Sequence, residues 1–177
     1  MSRNVFVFIA TSLDGFIARE NGNIDWLSLA DSEGEDYGYN EINEKTDTII
    51  MGRKTYDKVL ELTEEFPVKN KNIYIVTHKE RARENNLIFS NKDPGDLVRE
   101  LKNQEGKNIY VDGGAQIVQE LMRQDLIDEY IISVLPVFLG NGIPLFGNTG
   151  KQKMLRLKYS HSFDSGLVQL AYERQRT

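Results

Sequence analysis

The chain has 177 residues, enough for one continuous buried core, with 40% hydrophobic residues, 28% charged residues and a formal net charge of −5. That acidic balance argues against nucleic acid or an anionic membrane as the main partner, while a local basic pocket for a small anion stays possible. The absence of cysteine excludes disulfides, thiolate metal sites and a cysteine nucleophile.

Val5 to Ala10 is an apolar run rich in β-formers, and Asp14 interrupts it too early for a signal peptide. With no stretch of membrane-spanning length, the expected location is the cytoplasm. A strand apolar on both faces predicts a central position between helix layers. Asp14-Gly15 and Asn21-Gly22-Asn23 mark turns. The stretch Asp31 to Lys45 is acidic and predicts a helix in its latter part, with Gly34 and Gly38 weakening its start. Thr48 to Met51 predicts a second buried strand. Arg53 to Leu62 predicts a helix with Tyr56, Val59, Leu60 and Leu62 turned inward.

Pro67 falls in an expected loop, followed by strands at Asn72–Thr77 and Leu87–Phe89. Asp93-Pro94 reads as a helix cap followed by its first residue, with the helix running to about Asn103. Asn108 to Val111 predicts a strand that ends in Asp112-Gly113-Gly114, and Ala115 to Arg123 a helix with Ile117, Val118, Leu121 and Met122 on one face. Glu129 to Phe138 reads as a long strand in which Pro136 requires an edge, bulge or bend. Leu139 to Gly150 reads as a loop. Met154–Phe163 and Leu167–Glu173 predict an antiparallel hairpin, the second strand placing Val168, Leu170 and Tyr172 on one face. The alternation predicts one α/β domain spanning 1–177, a mostly parallel sheet with helices on both faces and a C-terminal antiparallel hairpin.

Ligands in such sheets bind at the carboxyl ends of the strands. At Gly52-Arg53-Lys54-Thr55 a glycine turn opens a helix whose free N–H groups, two cations and one hydroxyl suit phosphate. At Gly113-Gly114, with Ala115 and Gln116 opening the next helix, two glycines allow close backbone approach to a diphosphate. Each turn alone also reads as an ordinary strand–helix connection; together they suit a dinucleotide. Thr77, His78 and Lys79 at another strand end could edge a ribose phosphate, or be exposed loop polars. Trp26 reads equally as loop anchor or lid, and Asp14 could simply cap its turn. His161 reads as structural. The acidic cluster Asp31, Glu33, Glu35 and Asp36 reads better as a solvated face than as a metal site, and two distant histidines give zinc little support. There is no Gly-x-Ser-x-Gly elbow and no P-loop.

Taken together, Ser12-Leu13-Asp14-Gly15-Phe16-Ile17-Ala18, Met51-Gly52-Arg53-Lys54-Thr55-Tyr56, Asp112-Gly113-Gly114-Ala115 and Gly140-Asn141-Gly142-Ile143-Pro144-Leu145-Phe146 resemble the dihydrofolate reductase-like superfamily. The nearest likeness is to the reductase domain of the bifunctional riboflavin-biosynthesis enzyme and its small single-domain relatives, over nearly the whole chain. The resemblance implies a three-layer αβα fold, NADPH as hydride donor and, in many members, a homodimer. It implies that Gly52, Arg53, Lys54, Thr55, Gly113, Gly114, Ala115 and Gln116 hold the phosphates. Ala10, Asp14, Gly15 and Ile17 would border the nicotinamide, and Trp26 the substrate loop.

Asp31 stands at the spacing from Trp26 where true dihydrofolate reductases carry their carboxylate, and it is the candidate proton donor or orienting group, with Asp36 in reserve. Departures lie on the substrate side. Glu35-Asp36 stands where Phe-Lys would follow, and in Lys69-Asn70-Lys71-Asn72-Ile73 the residue Asn70 replaces the arginine that pairs with a folate tail. Efficient folate reduction is therefore not expected. Without cysteine, the zinc motif of the deaminase half has no place here. The expected activity is NADPH-dependent reduction of a small pyrimidine, pterin or carbonyl compound; the alternative is a non-catalytic NADPH-binding regulatory domain.

Overall fold

The computed structural model describes residues 3–63, 70–79, 81–147 and 150–175; the expected loop at Pro67 and the residue Lys69 lie outside these. The strands are β1 (Val5–Ser12), β2 (Phe16–Ala18), β3 (Thr46–Gly52), β4 (Asn72–Val76), β5 (Leu87–Ser90), β6 (Asn108–Gly113), β7 (Glu129–Leu135), β8 (Ile143–Pro144), β9 (Leu155–Ser162) and β10 (Val168–Arg174). The helices are α1 (Tyr39–Glu44), α2 (Arg53–Leu62), α3 (Pro94–Lys102) and α4 (Ala115–Arg123), and Asp25–Ala30 forms a short 3-10 helix.

Eight strands make one sheet in the order β5-β4-β3-β6-β1-β7-β10-β9. The first six are mutually parallel, and β10 runs antiparallel to both β7 and β9. This is the mostly parallel sheet with a terminal hairpin that the alternation predicts. β1 lies between β6 and β7, which explains why its residues are apolar in both directions.

Crossover handedness sorts the helices. The path from β1 through β3 to β4 steps one way across the sheet, and the path from β5 through β6 to β7 steps the other way. Right-handed crossovers then place the two groups of helices on opposite faces. On one face Ile42 of α1 and Tyr56 of α2 pack with Phe6, Ile49, Met51 and Ile75. On the other, Leu97, Val98, Leu101, Ile117, Val118 and Leu121 of α3 and α4 pack on Val5, Val7, Ile50 and Ile109. α3 begins as its sequence signals: the Asp93 side chain accepts from the amides of Gly95 and Asp96, with Pro94 as the first helical residue.

Several sequence expectations change. β7 ends at Leu135, and the chain bends at Pro136, where the Val137 amide donates back to the Leu135 carbonyl; Phe138 lies outside the strand and is exposed. Proline cannot supply a ladder donor in a strand flanked on both sides. Leu60 and Leu62 are exposed rather than inward, because α2 contacts the sheet mainly through its first turns, at Tyr56. In β10 the buried pair is Gln169 and Ala171, while Val168, Leu170 and Tyr172 are less covered. Leu170 pairs with Ile132 on the α4 side, near the sheet edge, whereas Gln169 pairs with Ser133 beneath the segment that precedes α1. The segment after the Asp14-Gly15 turn and the stretch read as a loop after Leu139 each contribute a short strand, because β2 and β8 pair with each other in a second small sheet.

Removing the cap, Asp93→Ala, should lower unfolding free energy by about 0.5–2 kcal/mol, read from urea denaturation.

Candidate active site

The two glycine turns stand at adjoining strand ends. β3 and β6 are neighbours, with Met51 paired to Gly113, and Gly52 is paired on its other side to Val76 of β4. A Cβ on Gly52 would sit 3.4 Å from Ile117 Cγ1 and 3.7 Å from the Gly114 amide nitrogen, and a Cβ on Gly114 would sit 3.2 Å from Thr55 Oγ1. The turns are therefore in van der Waals contact and form one cleft. Gly113 adopts φ +123°, a conformation that side chains rarely take.

Helices α2 and α4 start at this cleft, with Gly52 and Gly114 as their N-caps and no side chain capping either. Both starts leave amide donors for an anion, in contrast to α3. Arg53 reaches Asp57 at 2.7 Å and stacks over Tyr56, while Lys54 is exposed. Thr77, His78 and Lys79 follow β4 next to the cleft, with Thr77 tied to the Ser90 carbonyl through its amide. Ala115 is buried and Gln116 exposed.

Beside this cleft lies a cavity of about 830 Å³. The sheet supplies Phe8 and Ala10 of β1, Tyr110 and Asp112 of β6, and Ser133 and Leu135 of β7. The segment between the 3-10 helix and α1 supplies the facing wall, including Asp31 and Asp36. Withdrawal from water raises the Asp112 carboxyl above its usual range, against the opposing hydrogen bond from Tyr110. Burial, then the charge of Asp112, pushes the Tyr110 hydroxyl well above its ordinary value, so it stays protonated. Its oxygen lies 2.7 Å from Asp112 Oδ1 and 2.9 Å from the Phe8 carbonyl oxygen. One hydroxyl proton can serve only one of these acceptors. The Tyr110 hydroxyl thus donates either to Asp112 Oδ1 or to the Phe8 carbonyl, and it ties the Asp112 carboxyl to the end of β1.

The other sequence candidates fall into distinct places. Asp31 is exposed at the cavity wall. Asp36 lies there too, but the amides of Asn40 and Gly38 hold its carboxylate below the usual range, which makes it a poor proton donor. Asp14 is a staple. Although burial pulls its pKa up, the Ser12 hydroxyl and the Leu139 and Gly140 amides bring the net shift below normal. Gly15, at φ +86°, accepts at its carbonyl from the Leu145 amide, and Ile17 lies in β2. Trp26 is buried against Leu135 and Leu167, which favours the anchor over the lid. Among the described residues no cluster of three or more potential metal-ligating side chains occurs, and no helix is long and apolar enough to cross a membrane.

The sequence reading missed Asp112, Tyr110 and Ser133 as cavity groups. The signal available was strand alternation: Tyr110 and Asp112 point to the same face, opposite Ile109 and Val111.

Residues 3–169 match the RibD C-terminal domain family. The chain is 42% identical over 175 residues to the protein YwjB of Bacillus subtilis (strain 168), covering 98% of this chain and 99% of that one. It superimposes with a TM-score of 0.89 on a protein of Shewanella sp. PV-4 named for riboflavin biosynthesis, at 32% identity, covering 99% of this chain and all of that one. It also superimposes on the diaminohydroxyphosphoribosylaminopyrimidine deaminase/5-amino-6-(5-phosphoribosylamino)uracil reductase of Thermotoga maritima with a TM-score of 0.72. There the identity is 15%, a likeness of fold, and the match covers 98% of this chain and 57% of that one.

A carboxyl with a raised folded pKa holds its proton more tightly folded than unfolded, so its contribution to stability falls as pH rises from the unfolded value through the folded one. Asp112→Asn removes that dependence and keeps an acceptor for Tyr110. The stability of the variant relative to the parent should therefore rise from pH 4 to pH 7, measured by urea unfolding at each pH.

Proposed function

The chain belongs to the RibD C-terminal domain family, and on that premise we propose that it is an NADPH-dependent reductase of the riboflavin-biosynthesis type, resembling 5-amino-6-(5-phosphoribosylamino)uracil reductases. Its hydride acceptor is a small pyrimidine, pterin or carbonyl compound. One observation carries this reading: two uncapped helix starts, each preceded by glycine, converge at neighbouring strand ends. A diphosphate needs such a place, where backbone amides and helix dipoles meet without a Cβ in the way.

The residues fit NADPH. The amides that open α2 and α4, with Thr55, Ala115 and Gln116, would hold phosphate oxygens. Arg53, Lys54, Thr77, His78 and Lys79 supply donors and positive charge for the additional ribose phosphate. Ala10 near the carboxyl end of β1, Asp14 and Gly15 in the turn after it and Ile17 in β2 would border the nicotinamide. When bound, NADPH supplies the hydride.

The protein supplies the proton and the orientation. Asp112 is the candidate acid, because a carboxyl withdrawn from water keeps its proton closer to neutral pH. Tyr110 holds that carboxyl in place. Asp31, on the facing wall, orients the substrate from the solvent side, and Trp26 anchors the loop that carries it.

Fluorescence titration tests the cofactor: the protein should bind NADPH more tightly than NADH, and failure to bind either removes the reading. Arg53→Ala should weaken NADPH about tenfold more than NADH; equal weakening would point to a contact common to both cofactors. Asp112→Asn should lower kcat by about 10²–10⁴ with NADPH affinity unchanged. In the parent, kcat should decline as pH rises through the Asp112 pKa, a decline absent from the residual activity of the variant.

A further inference from the structure

Two polar side chains stand where an apolar pair would pack more simply. Ser133 of β7 and Gln169 of β10 are paired across neighbouring strands, and both are more than nine-tenths buried. They share the cavity face of the sheet: Ser133 lines the floor with Leu135, while Ile132 and Val134 turn to the core beneath α4. Gln169 is outside the described cavity lining and lies one strand farther out. Burying such a pair costs stability relative to apolar residues unless its hydrogen bonds are used.

Those bonds give Gln169 one orientation. Its Nε2 donates to the Tyr37 carbonyl at 3.0 Å and to Ser133 Oγ at 3.2 Å, and its Oε1 accepts from the Tyr159 hydroxyl at 3.3 Å. A carbonyl only accepts, so Tyr37 decides which end of the amide is the donor. Ser133 Oγ must then accept, and its own proton turns away from Gln169. Among the described residues no acceptor receives that proton, and the open side of Ser133 is the cavity. Ser133 pairs with Ala10 of β1, and Asp112 stands on β6 across that same strand. Tyr37 belongs to the facing wall and holds φ +53°, a backbone shape that a residue with a side chain keeps only under constraint. One buried amide thus ties the floor to the wall.

We propose that Gln169 is a positioning residue: it aims the Ser133 hydroxyl at the bound hydride acceptor and holds the Tyr37 wall in register with it. Ser133 is then a substrate contact that donates one hydrogen bond, and Gln169 touches no ligand. A free hydroxyl rotates among staggered positions, whereas one whose oxygen accepts from a fixed amide has its proton directed before the substrate arrives. This assignment rests on the reductase reading above.

The test uses the full chain with NADPH and 5-amino-6-(5-phosphoribosylamino)uracil. Turnover is read as NADPH oxidation, cofactor affinity by fluorescence titration and folding by urea denaturation in every variant. Ser133→Ala removes one oxygen and should lower kcat/KM about tenfold with NADPH affinity unchanged. Ser133→Thr keeps a hydroxyl on a side chain suited to a strand and should return kcat/KM to within about threefold of the parent. Gln169→Met keeps the length of the side chain without its donors and should also lower kcat/KM about tenfold. In that background Ser133→Ala should cost less than about twofold more, because the hydroxyl is no longer aimed. Gln169→Leu carries the same expectation, so the result does not depend on the folding of one variant. Unchanged kcat/KM in Ser133→Ala overturns the substrate contact, as does a threonine that restores nothing. Equal losses from Ser133→Ala in the parent and in the Gln169 variants overturn the positioning role. A parent that binds NADPH but does not oxidise it with this pyrimidine overturns the reductase reading and this assignment together.

Discussion

The ends of β3 and β6 bring two glycine turns into van der Waals contact. Gly52 and Gly114 bring two helix starts together: a methyl group on Gly52 would just touch Ile117 and the Gly114 amide, and one on Gly114 would crowd the Thr55 hydroxyl at 3.2 Å. The rest of the site follows from that closeness. Helices α2 and α4 lie on opposite faces of the sheet, so their amino ends can meet only at the strand ends, along the seam between β3 and β6. The amides at that seam have no side-chain cap, whereas Asp93 closes the start of α3. An uncapped start leaves its first amides open to an outside acceptor, whereas the Asp93 carboxylate already takes those of α3.

Strand alternation divides the chemistry. Along β6, Ile109 and Val111 enter the core under α3 and α4, while Tyr110 and Asp112 face the cavity. One strand thus contributes to the core, to the acid of the proposed reaction and, at Gly113, to the cleft. The cavity depends equally on its far wall. Trp26 pins the 3-10 helix against Leu135 and Leu167, the Tyr37 hydroxyl reaches the Ala30 carbonyl at 2.5 Å and Ser165 at 3.1 Å, and Gln169 holds the Tyr37 carbonyl. Asp14 fastens the first loop to Leu139 and Gly140 across 125 residues or more of sequence. These contacts are long-range, so no local pattern announces them.

The parallel sheet, the terminal hairpin, the Asp93 cap and both glycine turns were legible because each depends on near neighbours: alternation of two, helical periodicity, a cap and a turn residue. What misled was also local. Val168, Leu170 and Tyr172 look like a buried face of β10, yet Gln169 and Ala171 are the covered pair, because the partner of Gln169 is Ser133 beneath a segment remote in sequence. Leu60 and Leu62 follow the helical period and still face solvent, since α2 leaves the sheet before it reaches them.

By itself, the sequence determined the fold class, the order along the chain of the strands of the main sheet, the absence of thiol chemistry and the two glycine turns that open helices. Those properties are written in residue type and short spacing. Only the tertiary structure decided that the turns are a single cleft, and that Asp112, rather than Asp36, is the carboxyl withdrawn from water. It also placed the Asp112 carboxyl and four exposed carboxylates, Asp31, Glu33, Glu35 and Asp36, around one cavity. Proximity across the sheet and loss of solvent are properties of packing, and they shift a proton or select a ligand without leaving a mark on neighbouring residues in the chain.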